Sequence, residues 1–130
     1  MTEIDITPTV LSHLEGIRAR IADELAVREP ELKTRAESRS TAGSLLSAYI
    51  SIVRIDDTED PVDISLEFIR SGDDFVATMD ACRESGEVLL SPPDIPIGAM
   101  ALPSALREVL SGFDEMTQDV TDIAVSQLCS

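Results

Sequence analysis

Val62-Asp63-Ile64-Ser65-Leu66-Glu67-Phe68 alternates apolar and polar side chains at every step, and after Ser71-Gly72-Asp73-Asp74 the run Phe75-Val76-Ala77-Thr78-Met79-Asp80-Ala81-Cys82 alternates again. A period of two is the signature of an extended chain with one face buried and the other wet. The Gly/Asp cluster between the runs supplies turn-forming residues, so the pair reads as an antiparallel hairpin with a four-residue loop. A slip of one residue would turn every core side chain to water, which fixes the register. Arg70 is expected opposite Phe75, Phe68 opposite Ala77, Leu66 opposite Met79 and Ile64 opposite Ala81.

Upstream, Leu46, Ala48, Ile50 and Ile52 share one face of a third strand, joined to the hairpin by the acidic stretch 56–61. Setting Arg54 opposite Val62 places Ile52 against Ile64, Ile50 against Leu66 and Ala48 against Phe68. Downstream of Ser85-Gly86, residues 87–90 supply a short fourth strand. Ser91-Pro92-Pro93-Asp94-Ile95-Pro96 then opens an extended, polyproline-like connector spanning 91–103.

Helices flank this meander. Thr7-Pro8 is an N-cap followed by proline at the first helical position, and Val10, Leu11, Leu14, Ile17, Ile21 and Leu25 fall on one stripe at the helical period. Pro30 ends that helix, since proline pushes its predecessor out of the α region. Residues 31–37 read as a short polar helical turn and 38–44 as a linker of small polar residues. From Pro103 or Ser104, Leu106, Val109, Leu110, Phe113, Met116, Val120, Ile123, Ala124 and Leu128 recur at steps of three and four, with Gly112 a point where that helix could break. The expected fold class is α+β: an antiparallel three- to four-stranded meander with an N-terminal and a C-terminal helix on one face, in the order α-β-β-β-β-α.

A chain of 130 residues, 43% of them hydrophobic, supports one core, so residues 1–130 are expected to form a single domain. Its 25 acids against 10 bases give a net charge of −15, which disfavours phosphate backbones and anionic lipid, so neither nucleic acid nor membrane is an expected partner. The first residues carry acids where a secretory leader would be basic. No apolar run approaches a membrane span, and two cysteines, Cys82 and Cys129, are too few for a disulfide framework. A cytoplasmic location is the expectation. The charge is concentrated: between Ile55 and Phe68 stand Asp56, Asp57, Glu59, Asp60, Asp63 and Glu67 without one base.

Chemistry at the level of motifs is sparse. No nucleotide-binding glycine loop, no Cys-x-x-Cys and no nucleophile elbow occurs, and the one histidine, His13, falls at the border of the first helix's apolar stripe. No catalytic residue, metal or cofactor is expected. Asp63, Glu67 and Asp80 become diagonal neighbours on the polar sheet face, but that face is open, and a carboxylate needs desolvation to serve as an acid at neutral pH. The expected role is that of a non-enzymatic acidic binding protein for a basic or amphipathic polypeptide. It would bind through the loop residues Asp56, Asp57, Glu59 and Asp60 together with Asp63, Glu67, Asp80 and Tyr49 on the sheet. In size, acidity, element order and its amphipathic last helix the chain resembles, as a class, the small acidic chaperones of bacterial secretion systems and the immunity proteins that neutralise basic toxins. The alternative is a small-molecule or metal-dependent enzyme with its site near the 91–103 connector, beside Glu87 and Asp94. A homodimer through an uncovered sheet edge is a further expectation.

Overall fold

The computed structural model describes residues 7–39, 44–56, 60–83, 85–98 and 102–129. Helix α1 (Thr7–Arg28) is followed by strands β1 (Leu32–Arg39), β2 (Ser44–Arg54), β3 (Val62–Ser71), β4 (Asp74–Arg83), β5 (Val88–Leu90) and β6 (Ile95–Ile97), and the described chain closes with helix α2 (Leu102–Leu128). The strands form one antiparallel sheet in the order β1-β2-β3-β4-β5, with β6 also paired to β4. It is an open sheet with both helices on one side. Their apolar stripes join the buried face of the strands in one core, and the largest side chains fully enclosed there include Phe68, Phe113, Leu14, Ile21, Ile50 and Ile64. Each contributes roughly 1.5–3 kcal/mol through removal from water.

The hairpin register stands as the alternation requires: Arg70 pairs with Phe75, Phe68 with Ala77, Leu66 with Met79 and Ile64 with Ala81. The turn is tighter by one pair, because Ser71 also faces Asp74 and leaves Gly72-Asp73 as the two-residue loop. Gly72 has φ of 64°, the positive value that a type II′ turn demands of its first central residue.

The β2–β3 register differs by two residues from the one the sequence suggests. Ile52 faces Val62, Ile50 faces Ile64, Ala48 faces Leu66 and Leu46 faces Phe68. A two-residue slip keeps every side chain on its face, so alternation cannot detect it. Packing decides. The suggested register would set Leu46 opposite Arg70 and Val62 opposite Arg54, whereas the observed one gives all four apolar residues of β2 a buried apolar partner.

Two further strands correct the reading of the polar segments. Residues 32–39, expected as a helical turn running into a linker, form β1 and pair along β2 from Leu32 opposite Arg54 to Arg39 opposite Ser47. Leu32 is buried and Ala36 packs against the core beneath α1, so the strand extends the apolar floor that α1 needs. The centre of the expected linker, residues 40–43, lies outside the described residues. In the 91–103 connector, Ile95 and Ile97 pair with Ala77 and Phe75, with Pro96 opposite Val76. Proline is tolerated there because an outer strand has a side on which no ladder bond is needed.

Helix α2 continues through Gly112 without a break. Leu106, Val109, Leu110, Phe113, Met116, Val120, Ala124 and Leu128 are all buried along its inner face. Thr117 and Thr121 are buried too, and their hydroxyls are satisfied within the helix by the carbonyls of Asp114 and Thr117, at 2.7 and 2.6 Å. No helix among the described residues is long and apolar enough to cross a membrane.

Candidate functional site

With both helices on one side, the opposite face of the sheet is left to the alternate side chains of β1 to β4. Its rows run Arg35–Ser51–Asp63–Cys82 and Glu37–Tyr49–Ser65–Asp80, then Ser47–Glu67–Thr78. Asp63, Ser65, Glu67, Thr78, Asp80 and Tyr49 are each half-buried by their neighbours, and Ser51 in the middle is only 1% exposed. The Ser51 hydroxyl donates to Asp63, the Tyr49 hydroxyl donates to Glu37, and Ser91 Oγ donates to Asp80 Oδ1 at 2.9 Å. Among the described residues no cation pairs with Asp63, Glu67 or Asp80.

The loop acids sit in a different environment. Arg54, at the end of β2, grips Asp56 with two parallel bonds, Nε to Oδ1 at 2.9 Å and Nη2 to Oδ2 at 3.1 Å. This guanidinium holds the Asp56 carboxyl below its ordinary range. Its remaining nitrogen, Nη1, donates to the carbonyl of Leu128 at 2.8 Å, which satisfies an end group of α2. Arg83, at the end of β4, forms an ion pair with Asp60 at 2.9 Å and donates to the Asp60 carbonyl at 3.0 Å and to Gln127 Oε1 at 2.9 Å. Asp56 and Asp60 therefore fasten the loop to the strand ends and to α2. Asp57 and Glu59 lie outside the described residues.

The sequence reading missed the basic strand. β1 brings Lys33 and Arg35 to the open face, where they border a hollow of about 230 Å³ with Ser51, Val53 and Pro61. The face is thus divided: positive along one edge, neutral over β2, negative over β3 and β4. A period-two signal existed in Leu32, Thr34 and Ala36 against Lys33, Arg35 and Glu37, but it rests on one large apolar residue in a run rich in helix formers.

A larger hollow, about 720 Å³, lies along α1 and is lined by Ser12, His13, Gly16, Arg20 and Asp114. His13 is exposed at its rim, and Arg20 forms an ion pair with Asp114 while donating to Thr117 Oγ1 at 3.3 Å. Glu87 and Asp94, the acids beside the connector, are both exposed. Neither thiol is poised as a nucleophile. Burial, reinforced by Asp80 and Asp63, pushes the Cys82 thiol up from its ordinary value, and burial with Glu29 does the same for Cys129. Cys129 is packed against the core with its amide bonded to the Val125 carbonyl at 3.0 Å. Among the described residues no three His, Cys, Asp or Glu side chains converge to hold a metal ion. No family model, no curated protein and no solved structure matches this chain.

Proposed function

We propose that this chain is a non-enzymatic binding protein that receives a basic or amphipathic segment of another polypeptide on the open face of its sheet, in the manner of a secretion chaperone or an immunity protein. The observation that carries the reading is the contrast between the two groups of acids. Asp56 and Asp60 are committed to Arg54 and Arg83, whereas Asp63, Glu67 and Asp80 stand together on β3 and β4 with hydroxyl partners at most. Carboxylates arranged in this way, half-buried on a rigid sheet, offer charge-assisted bonds to Lys or Arg at little conformational cost. Beside them the half-buried ring of Tyr49 offers apolar surface to an amphipathic segment. Of the loop acids given a share of the site from sequence, Asp56 and Asp60 are taken up by these ion pairs, and Asp57 and Glu59 lie outside the described residues.

Capture from a lysate at low salt, followed by association kinetics with the recovered basic protein, tests this reading. Neutralising the sheet acids together as Asp63→Asn, Glu67→Gln and Asp80→Asn should slow association about tenfold and flatten its salt dependence. The pair Asp56→Asn and Asp60→Asn should leave the association rate unchanged. Unaltered kinetics in the sheet variant would sink the assignment, and slowing confined to the loop variant would move the site to the loop.

A further inference from the structure

β1 is an outer strand, bonded to β2 on one side and to no strand on the other among the described residues. Just before it, the Ile55 amide donates to the Glu31 carbonyl at 2.8 Å, which sets the phase of the ladder. In an antiparallel pair the residues that exchange bonds alternate, so Lys33, Arg35, Glu37 and Arg39 turn their backbone groups to β2. Thr34, Ala36 and Ser38 turn theirs outward. The strand is eight residues long, without proline and without a register shift, so these outward groups form a straight and regular row. α1 packs on the core side of β1 and does not close the edge: a cleft of about 220 Å³ opens there between Leu11 and Glu15 of the helix and Ala36 and Ser38 of the strand.

We propose that two copies of this chain pair through β1, antiparallel about a two-fold axis at Ala36, so that their sheets become continuous. Three arguments converge on this partner and this register. The molecule is strongly anionic, but β1 carries three bases against one acid, so two copies repel least along this edge. The axis at Ala36 places Arg35 of each copy opposite Glu37 of the other, whereas moving it one residue either way sets Arg35 against Arg35 or Glu37 against Glu37. Lys33 and Arg39 fall opposite each other only at the two ends of the seam. The residues that exchange bonds across the seam are Thr34 with Ser38 and Ala36 with Ala36, all small enough to pass beneath the two copies of α1. Such an isologous contact closes on itself and ends at a dimer.

Sedimentation equilibrium over the micromolar range should give twice the chain mass of 14.1 kDa. Ala36→Pro removes an outward amide and leaves the β1–β2 ladder whole, and it should raise the dissociation constant by about tenfold or more. Arg35→Glu sets like charges across the seam and should weaken pairing to a similar degree, while the double variant R35E/E37R restores it. A wild-type chain that remains monomeric, a dimer indifferent to both single variants, or a double variant that stays dissociated would each overturn the proposal. Far-UV circular dichroism checks that Ala36→Pro is folded; should it not be, the exposed Arg35 variants decide alone.

Discussion

Arg83 shows how much one side chain carries when the sheet, a loop and a helix end meet around it. Its side chain is 15% exposed and reaches Asp60 through Nη2 and Gln127 through Nη1, while its Nε has no partner among the described residues. A buried guanidinium is costly unless its donors are matched, and here the charge is met by a carboxylate, a carbonyl and an amide oxygen. Replacing it with alanine removes all of these contacts and leaves the Asp60 carboxylate and the α2 end without them. We expect Arg83→Ala to cost about 2–3 kcal/mol, read as a lower urea midpoint at unchanged slope. Arg83→Lys should recover only part of this, because an ammonium cannot span Asp60 and Gln127 at once. A loss below about 0.5 kcal/mol for the alanine variant would mean that the loop and the helix end hold without this bridge.

At the scale of elements, α2 contains one unused margin. Gly112 lies within the helix, and a Cβ built there would meet Met79 Cε at 3.7 Å, an ordinary contact. Gly112→Ala therefore fills space toward β4 and removes the backbone freedom that glycine gives the unfolded chain. We expect a gain of about 1 kcal/mol, seen as a rise in Tm of about 3–5 °C, and a fall in Tm would show that α2 needs its glycine for closer packing. The same element scale explains what the sequence could and could not reveal. Val62–Ser71 and Asp74–Arg83 were legible, register included, because large apolar side chains alternate through both. The stripe of α1 was equally plain. β1 was not, since its inward residues after Leu32 are Thr34, Ala36 and Ser38, and its helix-forming composition is overruled only by the edge that β2 offers. β6 was hidden behind Pro96, which argues against a strand until the outer position excuses it. For the site, the acids of the sheet face followed directly from alternation. The separation between them and the loop acids did not, because Arg83 reaches Asp60 from β4, distant in sequence, and the missing β1 concealed the cations.

For the molecule as a whole, charge sets two dependences on salt that run in opposite directions. A net charge of −15 is spread over a small protein, and the ion pairs involve contacts of 3.3 Å or less, chiefly on the surface. Contact pairs of this kind are each worth about 0–1 kcal/mol, whereas the surplus carboxylates repel one another over distances that only low ionic strength leaves unscreened. Raising salt from about 0.01 M to 0.15 M shortens the Debye length from about 30 Å to about 8 Å. Long-range repulsion within the folded chain is then largely removed, while pairs at bonding distance lose less. The folded state should gain, with Tm rising by about 2–5 °C across that range in sodium chloride. Binding of a basic segment to the sheet face should weaken over the same interval, since the same screening acts on attraction between molecules. Thermal melts and association rates recorded in one salt series separate the two effects. A Tm that is flat or falls with salt would show that local ion pairs, with Arg54 and Arg83 foremost, outweigh the surplus of negative charge.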